Sequence, residues 1–426
     1  MHFKRTFCDK YILNKYQKYC FFILLLIGFN PIANGQTFYQ FMDTIAVYNG
    51  SHKLKFPFCG GLNNPQFSTL NYDNDAHADF FIFDRTGNKI LIFKSDGIQD
   101  SISFSYQPKA EFYLPNTLTN WVLMRDMNGD GESDIVCQGA GDLRIYLAKR
   151  MPDNSLQYFL TAPFVNGIVP GGTFGNIYSS PTDIPSIDDI NHDGDMDILI
   201  FDVQGNAINY WENQQIELYG HPNDSMIFYL NKWCWGKMLD VGNRAMQLNY
   251  TCNPARQGGA KHAGNTLATI DIDEDGDKDC LKGNISFGNL TMLYNNGDST
   301  LANMTQQDSL FPITNNSYAS DVFAAPFFTD MNNDGKQDLI AAPNNYGTMN
   351  RKNVWYYQNN KVPSQQPFNY KSDSFMVSEM IDVGANSFPV FFDYDNDGLN
   401  DLIISSGGTL DTAVHNSYAQ FFLYKN

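Results

Sequence analysis

A nine-residue acidic loop occurs six times along this chain and constrains its fold more than any other feature. Its fullest copy places Asp271, Asp273, Asp275 and Asp279 at loop positions 1, 3, 5 and 9, with Gly276 at 6 and Asp277 at 7. Alternate residues of a tight loop point inward, so these carboxylates converge. Converging carboxylates repel unless a hard cation sits between them, and calcium suits such a site because it takes roughly six to eight oxygen ligands in a flexible geometry. Glycine at position 6 permits the sharp turn, and position 7 offers its backbone carbonyl.

The other copies keep this register. Loop one is Asn71, Asp73, Asp75, Ala76, His77 and Asp79; loop two is Asp126, Asn128, Asp130, Gly131, Glu132 and Asp134. Loop three is Asp189, Asn191, Asp193, Gly194, Asp195 and Asp197, and the copy from Asp271 is loop four. Loop five is Asp330, Asn332, Asp334, Gly335, Lys336 and Asp338; loop six is Asp393, Asp395, Asp397, Gly398, Leu399 and Asp401. Their starts lie 55, 63, 82, 59 and 63 residues apart, an internal repeat. An EF-hand needs a bidentate Glu at position 12 and flanking helices. Position 12 here is Ile82, Cys137, Ile200, Lys282, Ala341 or Ile404, and mostly apolar, strand-forming residues lead out of each loop.

An aromatic strand follows every loop, as in Ile90–Lys94, Arg144–Leu147, Ile208–Asn213, Met292–Asn295, Val354–Asn359 and Phe421–Asn426. Each unit therefore reads as strand, loop, apolar strand, turn, aromatic strand and a looser connection. With 15% aromatic and 17% charged residues and few helical patterns, the chain is expected to be all-β. Units of about 60 residues suit four-stranded propeller blades, and six loops predict six blades. N-terminal residues around Thr44–Tyr48 are expected to complete the last blade and close the ring, which would protect the edge strands.

Residues 1–35 read as a signal peptide: basic residues, the apolar run Cys20–Phe29, then Ala33 and Gly35 at the −3 and −1 positions of a cleavage site before Gln36. The run is too short for the roughly 20 residues of a spanning helix, so no transmembrane segment is expected after cleavage. The chain carries −18, and losing the leader's net +4 leaves −22, a surface that repels nucleic acid and attracts cations. The mature part, 36–426, keeps five cysteines, and export permits disulfides. The 82-residue interval holds Trp233, Cys234, Trp235, Cys252 and the glycine-rich stretch 257–264, which together predict an insertion over about 215–265, pinned by a Cys234–Cys252 bridge. Cys137 and Cys280 read as buried small hydrophobes.

These loops and strands resemble the FG-GAP/VCBS repeat family of calcium-loop β-propellers, which includes the integrin α-subunit head, and look most like exported repeat proteins of Bacteroidetes-type bacteria. Near the words that name the family stand only Phe174-Gly175, Phe287-Gly288 and Ala341-Ala342-Pro343. The resemblance implies an all-β propeller of seven blades where counting gives six. It implies up to six structural Ca2+ ions, held by side chains at positions 1, 3, 5 and 9 and backbone oxygens of His77, Glu132, Asp195, Asp277, Lys336 and Leu399. It also implies ligands that bind elsewhere on the ring.

Two functions are open. One is a secreted or cell-surface, non-enzymatic binding or adhesion module with an extracellular protein or glycan ligand. The other is a propeller-based polysaccharide lyase or hydrolase, which needs an acid–base pair apart from the loops. His77 and His192 lie inside loops, and His52, His221, His262 and His415 show no partner spacing. Non-enzymatic binding is the expectation.

Overall fold

The computed structural model describes residues 45–252, 264–314, 316–319, 323–345, 351–360, 362, 366–384, 386–411 and 416–426. The expected leader, most of the glycine-rich stretch, His262 and His415 lie outside the described residues.

Four units are four-stranded antiparallel blades. Blade one is Pro65–Leu70, Asp79–Asp84, Lys89–Ser95 and Phe104–Tyr106; blade two is Val122–Arg125, Asp134–Gln138, Leu143–Arg150 and Leu156–Ala162. Blade four is Asn265–Ile270, Asp279–Asn284, Phe287–Asn295 and Met304–Phe311; blade five is Ala324–Thr329, Asp338–Pro343, Trp355–Asn359 and Phe368–Ser372. Blade three has the same plan in Ser186–Asp188, Asp197–Phe201, Ile208–Asn213 and Phe228–Lys232. A hairpin, Asn166–Val169 with Thr173–Asn176, widens blade three to six strands by pairing parallel to Phe228–Lys232. Each acidic loop joins the first strand of its unit to the second.

The second strands explain the long apolar runs after each loop. Successive side chains of a strand point to opposite faces, and both faces of a blade meet a neighbour. Phe81 and Phe83 pack with Val122, Ile135 and Tyr146 of blade two. Phe80 and Ile82, on the other face, share a core with Phe327 and Ile340 of blade five. Blades two and three meet in that core through Trp121, Val136 and Ile198. Leu199 with Cys280 joins blades three and four, and Leu281 with Leu339 joins four and five. Cys59, Cys137 and Cys280 are buried free thiols.

Polar contacts follow the same ring. Gln66 Nε2 donates to Asn120 O at 3.0 Å, Arg125 Nε to Ile187 O at 2.8 Å, and Thr266 Oγ1 to Ala324 O at 2.7 Å. The Ser186 and Thr269 hydroxyls are 2.8 Å apart. Asn64 Nδ2 donates to Pro343 O at 3.3 Å, Arg85 Nη1 donates to Asn344 O at 3.0 Å, and the Phe67 and Phe327 rings meet edge to face at 5.5 Å. Blade five thus contacts blade one directly.

That contact departs from the sixfold count. The sixth unit is a three-stranded sheet, Phe388–Phe392, Asp401–Asp411 and Asn416–Tyr424, outside the shared cores. All of Phe388–Phe392 is exposed. The N-terminal residues do not complete it either: Tyr48–Asn49 pairs with His52–Lys53 as a small hairpin. Repeat counting identifies units but is blind to which of them meet, and here the meeting is set by Phe67, Phe327 and the Asn64–Arg85 contacts.

The insertion is narrower than 215–265, because Phe228–Lys232 is blade three's own fourth strand. What is added begins at Trp233, with a Cys234–Cys252 disulfide and a short hairpin, Leu239–Asp240 with Met246–Gln247. The hairpin is tied to blade four by a buried ion pair, Lys282 Nζ to Asp240 Oδ2 at 2.5 Å, and Asn284 Nδ2 donates to the same oxygen at 3.1 Å.

Candidate metal centres

One hydrogen-bond frame recurs in all six loops. The position-9 carboxylate accepts the N–H of position 2 on one oxygen: Tyr72 to Asp79 (2.7 Å), Met127 to Asp134 (2.8 Å), Ile190 to Asp197 (3.1 Å), Ile272 to Asp279 (3.2 Å), Met331 to Asp338 (3.2 Å) and Tyr394 to Asp401 (3.0 Å). Its other oxygen accepts an N–H from the aromatic third strand, in order Ser95, Ala148, Asn213, Asn295, Asn359 and Asn426, at 2.7–2.9 Å. Position 9 therefore clasps the loop to its own blade.

Position 5 accepts the N–H of position 7 in every loop, from His77 to Asp75 (2.8 Å) through to Leu399 to Asp397 (2.8 Å). In loops two to six the position-1 Asp accepts the N–H of the position-6 glycine, as Gly276 to Asp271 at 3.1 Å. Those five glycines are left-handed, φ 84–103°. Position 4 is left-handed as well: Asn74, Gly129, His192, Glu274, Asn333 and Asn396 lie at φ 55–71°. Sequence reading missed that second turn, although four asparagines or glycines among the six residues are its signal.

The frame leaves oxygens over. Asn71 Oδ1, Asp73 Oδ1, Asp195 Oδ1, Asp277 Oδ1 and Asn332 Oδ1 are buried without a hydrogen-bond partner among the described residues. Buried polar atoms are rarely left so. Carboxylate oxygens of Asp271, Asp273 and Asp275 lie within 4.8 Å of one another, as do those of Asp393, Asp395 and Asp401, and of Asp193, Asp195 and Glu217. These acidic clusters could hold a metal ion, and the unmatched oxygens at positions 1, 3 and 7 are the donors such an ion would use. Burial pushes the Asp277 carboxyl up to about 6, Asp195 and Asp134 to about 7 and Asp279 to about 8. A cation would oppose that rise.

The loops differ in what lies beside them. In loop three, the one-turn helix Gln215–Tyr219 brings Glu217 to the cluster and gives Asp195 Oδ2 the N–H of Ile216 at 3.1 Å. In loop two, Asp224 reaches Asn128 Nδ2 at 2.8 Å, while Glu132 turns its side chain away to pair with Arg150 at 2.6 Å. Lys336 turns out to pair with Glu274 of loop four. Neither Glu217 nor Asp224 was visible in the repeat, because both come from the connection between blade three's third and fourth strands.

Loop one is built differently. Ala76 replaces the glycine and lies outside the left-handed region, and Asn71 Nδ2 donates to Asp75 O at 2.7 Å. Lys94 places its ammonium against Asp73 and 3.5 Å from Asp75 Oδ2. The residue one before the third-strand clasp decides this. It is Lys94 in unit one and Lys425 in unit six, where Lys425 Nζ lies 2.9 Å from Asp395. It is Glu212 in unit three, which accepts from Asn191 at 3.2 Å.

Among the described residues, no helix is long and apolar enough to cross a membrane. Comparison with family models finds FG-GAP-like repeats at residues 271–341 and 330–404, which span loops four, five and six. No curated protein matches the chain. A solved structure described as the basis of recognition of non-reducing terminal N-acetylglucosamine by an Agrocybe aegerita lectin is similar over 86% of this chain and 80% of its own. Identity is 14% and the TM-score 0.33, too loose a likeness to carry an argument. Residues 271–404 thus carry FG-GAP-like repeats, and loops one to three repeat the register of the loops within that stretch.

Proposed function

We propose that this chain is an exported, calcium-stabilised propeller that binds partners outside the cell without catalysing a reaction on them. The observation that carries this is the loop frame shared by all six copies, with acidic clusters in loops three, four and six and unmatched buried oxygens in loops three, four and five. Six loops in one register, each clasped to its blade by position 9, are arranged to brace strands. Calcium suits the oxygen-only donor sets at positions 1, 3, 5 and 9 and the position-7 carbonyls better than magnesium, which demands near-ideal octahedral geometry. In loop one the ammonium of Lys94 meets both Asp73 and Asp75 and takes the cation's place, whereas Lys425 meets only Asp395 and leaves loop six its cluster of Asp393, Asp395 and Asp401, so ions belong to loops two to six. Bound there, calcium supplies charge neutralisation. The chain's own residues do the rest: the carboxylates hold the loops shut, and the loops hold the first and second strands of each blade in register.

The partner is an extracellular glycan or protein met on the ring, as expected of a chain exported by a leader cleaved before Gln36. Protein recovered from the medium should have an intact mass that begins at Gln36. The same sample, offered a panel of polysaccharides and matrix proteins in calcium, should retain ligand and release no new reducing or unsaturated ends. Catalytic release of such ends would replace binding with lyase or hydrolase activity. A mass that retains residues 21–29 would replace secretion with anchoring.

A further inference from the structure

The first strands of the five blades surround a cavity of about 400 Å³, within the usual range of small-ligand sites. Its wall is partly aromatic, with Phe67, Phe327 and Phe328. Thr329 also lines it, is 5% exposed, and its hydroxyl has no hydrogen-bond partner among the described residues. Arg125 reaches in from blade two. Its Nε donates to Ile187 O at 2.8 Å and its Nη1 to Met124 O at 2.7 Å, both neutral carbonyls. No hydrogen bond engages Nη2 among the described residues, and the wall carboxylate that acts on the guanidinium, Asp188, does so through space without a direct hydrogen bond.

Three carboxylates share the wall, and each is already engaged. Asp126 and Asp330 accept backbone N–H groups of their own loops at 2.8–3.2 Å. Asp188 is paired with Lys278 Nζ at 2.9 Å and accepts from Thr269 Oγ1 at 2.7 Å. Arg125 is thus the cation of the wall, with Asp188 acting on it through space, and its Nη2 is the donor left for a ligand among the described residues. The lining also has a pattern: Ala78, Ser133, Met196 and Gln337, all at loop position 8, are part of it, and Lys278 at the same position reaches Asp188.

We propose that this axial cavity is a binding site for a uronic acid, free or at the end of an acidic glycan. The carboxylate pairs with Arg125, whose planar fork suits it. The Thr329 hydroxyl meets a sugar hydroxyl, the aromatic wall covers the pyranose face, and the position-8 residues set what can enter. The inference rests on the reading of the chain as a binding module and names that module's ligand class.

The test is calorimetric titration of the folded chain in calcium with glucuronate, glucose and glucosamine. Glucuronate should bind, with glucose weaker by roughly 10- to 100-fold, the usual weight of a charge-assisted contact. Arg125→Gln should lose the same factor. Because Arg125 also bridges blades two and three, Ala78→Trp provides an independent check. Ala78 is exposed, and the indole should block entry while leaving the melting temperature unchanged. Equal binding of glucose and glucuronate, preference for glucosamine, or full glucuronate binding by a folded Ala78→Trp variant would overturn the proposal. If no sugar bound while panel ligands were still retained, the cavity assignment alone would fall; if nothing were retained at all, the binding reading would fall with it.

Discussion

Chelation should lower the melting temperature of this protein by on the order of 10 °C, with calcium restoring it far better than magnesium. Extracellular calcium sites often dissociate at about 10⁻⁴–10⁻³ M. At ten times that concentration, a site that exists only in the folded chain contributes about 1.4 kcal/mol, so loops two to six contribute about 7 kcal/mol. Unfolding entropy runs near 2.1 cal/mol/K per residue. For residues 45–426 that is about 0.8 kcal/mol/K, which converts 7 kcal/mol into about 9 °C. The same 7 kcal/mol is comparable to the whole net stability of a typical domain, roughly 5–15 kcal/mol. Melting curves in chelator, calcium and magnesium check this. Identical curves would mean that the loops hold their shape through the hydrogen-bond frame alone.

The second large effect is expected at Asp240. Its carboxylate and the Lys282 ammonium are almost fully buried, and the pair fastens the inserted hairpin to blade four. Asp240→Ala leaves the lysine without a counter-charge, a change that costs about 3–5 kcal/mol. Replacing both partners, Asp240→Leu with Lys282→Met, should recover most of that loss, since well-packed apolar substitutes for a buried pair are often neutral. The pH dependence has a definite sign. Burial lowers the Lys282 pKa, and Asp240 opposes the fall. Without Asp240 the folded pKa drops further below the unfolded one, so the unfolded chain binds more protons, and stability of the single variant should rise with pH toward 9. Urea midpoints at pH 7 and 9 would show it. A single variant no less stable than the double would remove the pair from the account of how the insertion is held.

Much of the architecture was legible because it is local. The acidic register places each loop between two strands. The apolar run after each position 9 forms a strand buried on both faces, as Phe80–Phe83 shows. The aromatic segments are the third strands that supply the clasping N–H groups. The number of blades in the ring was not legible, since it depends on Phe67 meeting Phe327 across 260 residues of sequence. Glu217 and Asp224 were hidden for a similar reason, being contributed by connections that no repeat carries. Lys94 was readable in principle. It stands one residue before the third-strand clasp, where unit six has Lys425, but its meaning appears only once that strand is seen beside the loop.

The central claim is that cations in register brace this ring, and a crystal structure grown in calcium with anomalous scattering measured for each site tests it most directly. Ions should occupy loops two to six, with the Lys94 ammonium in loop one. Lys94→Gln should remove that internal cation, though Ala76 and Asn71 still weaken the site. Loops two to six without ions at millimolar calcium, or an ion in loop one that has displaced Lys94 in the natural chain, would contradict it.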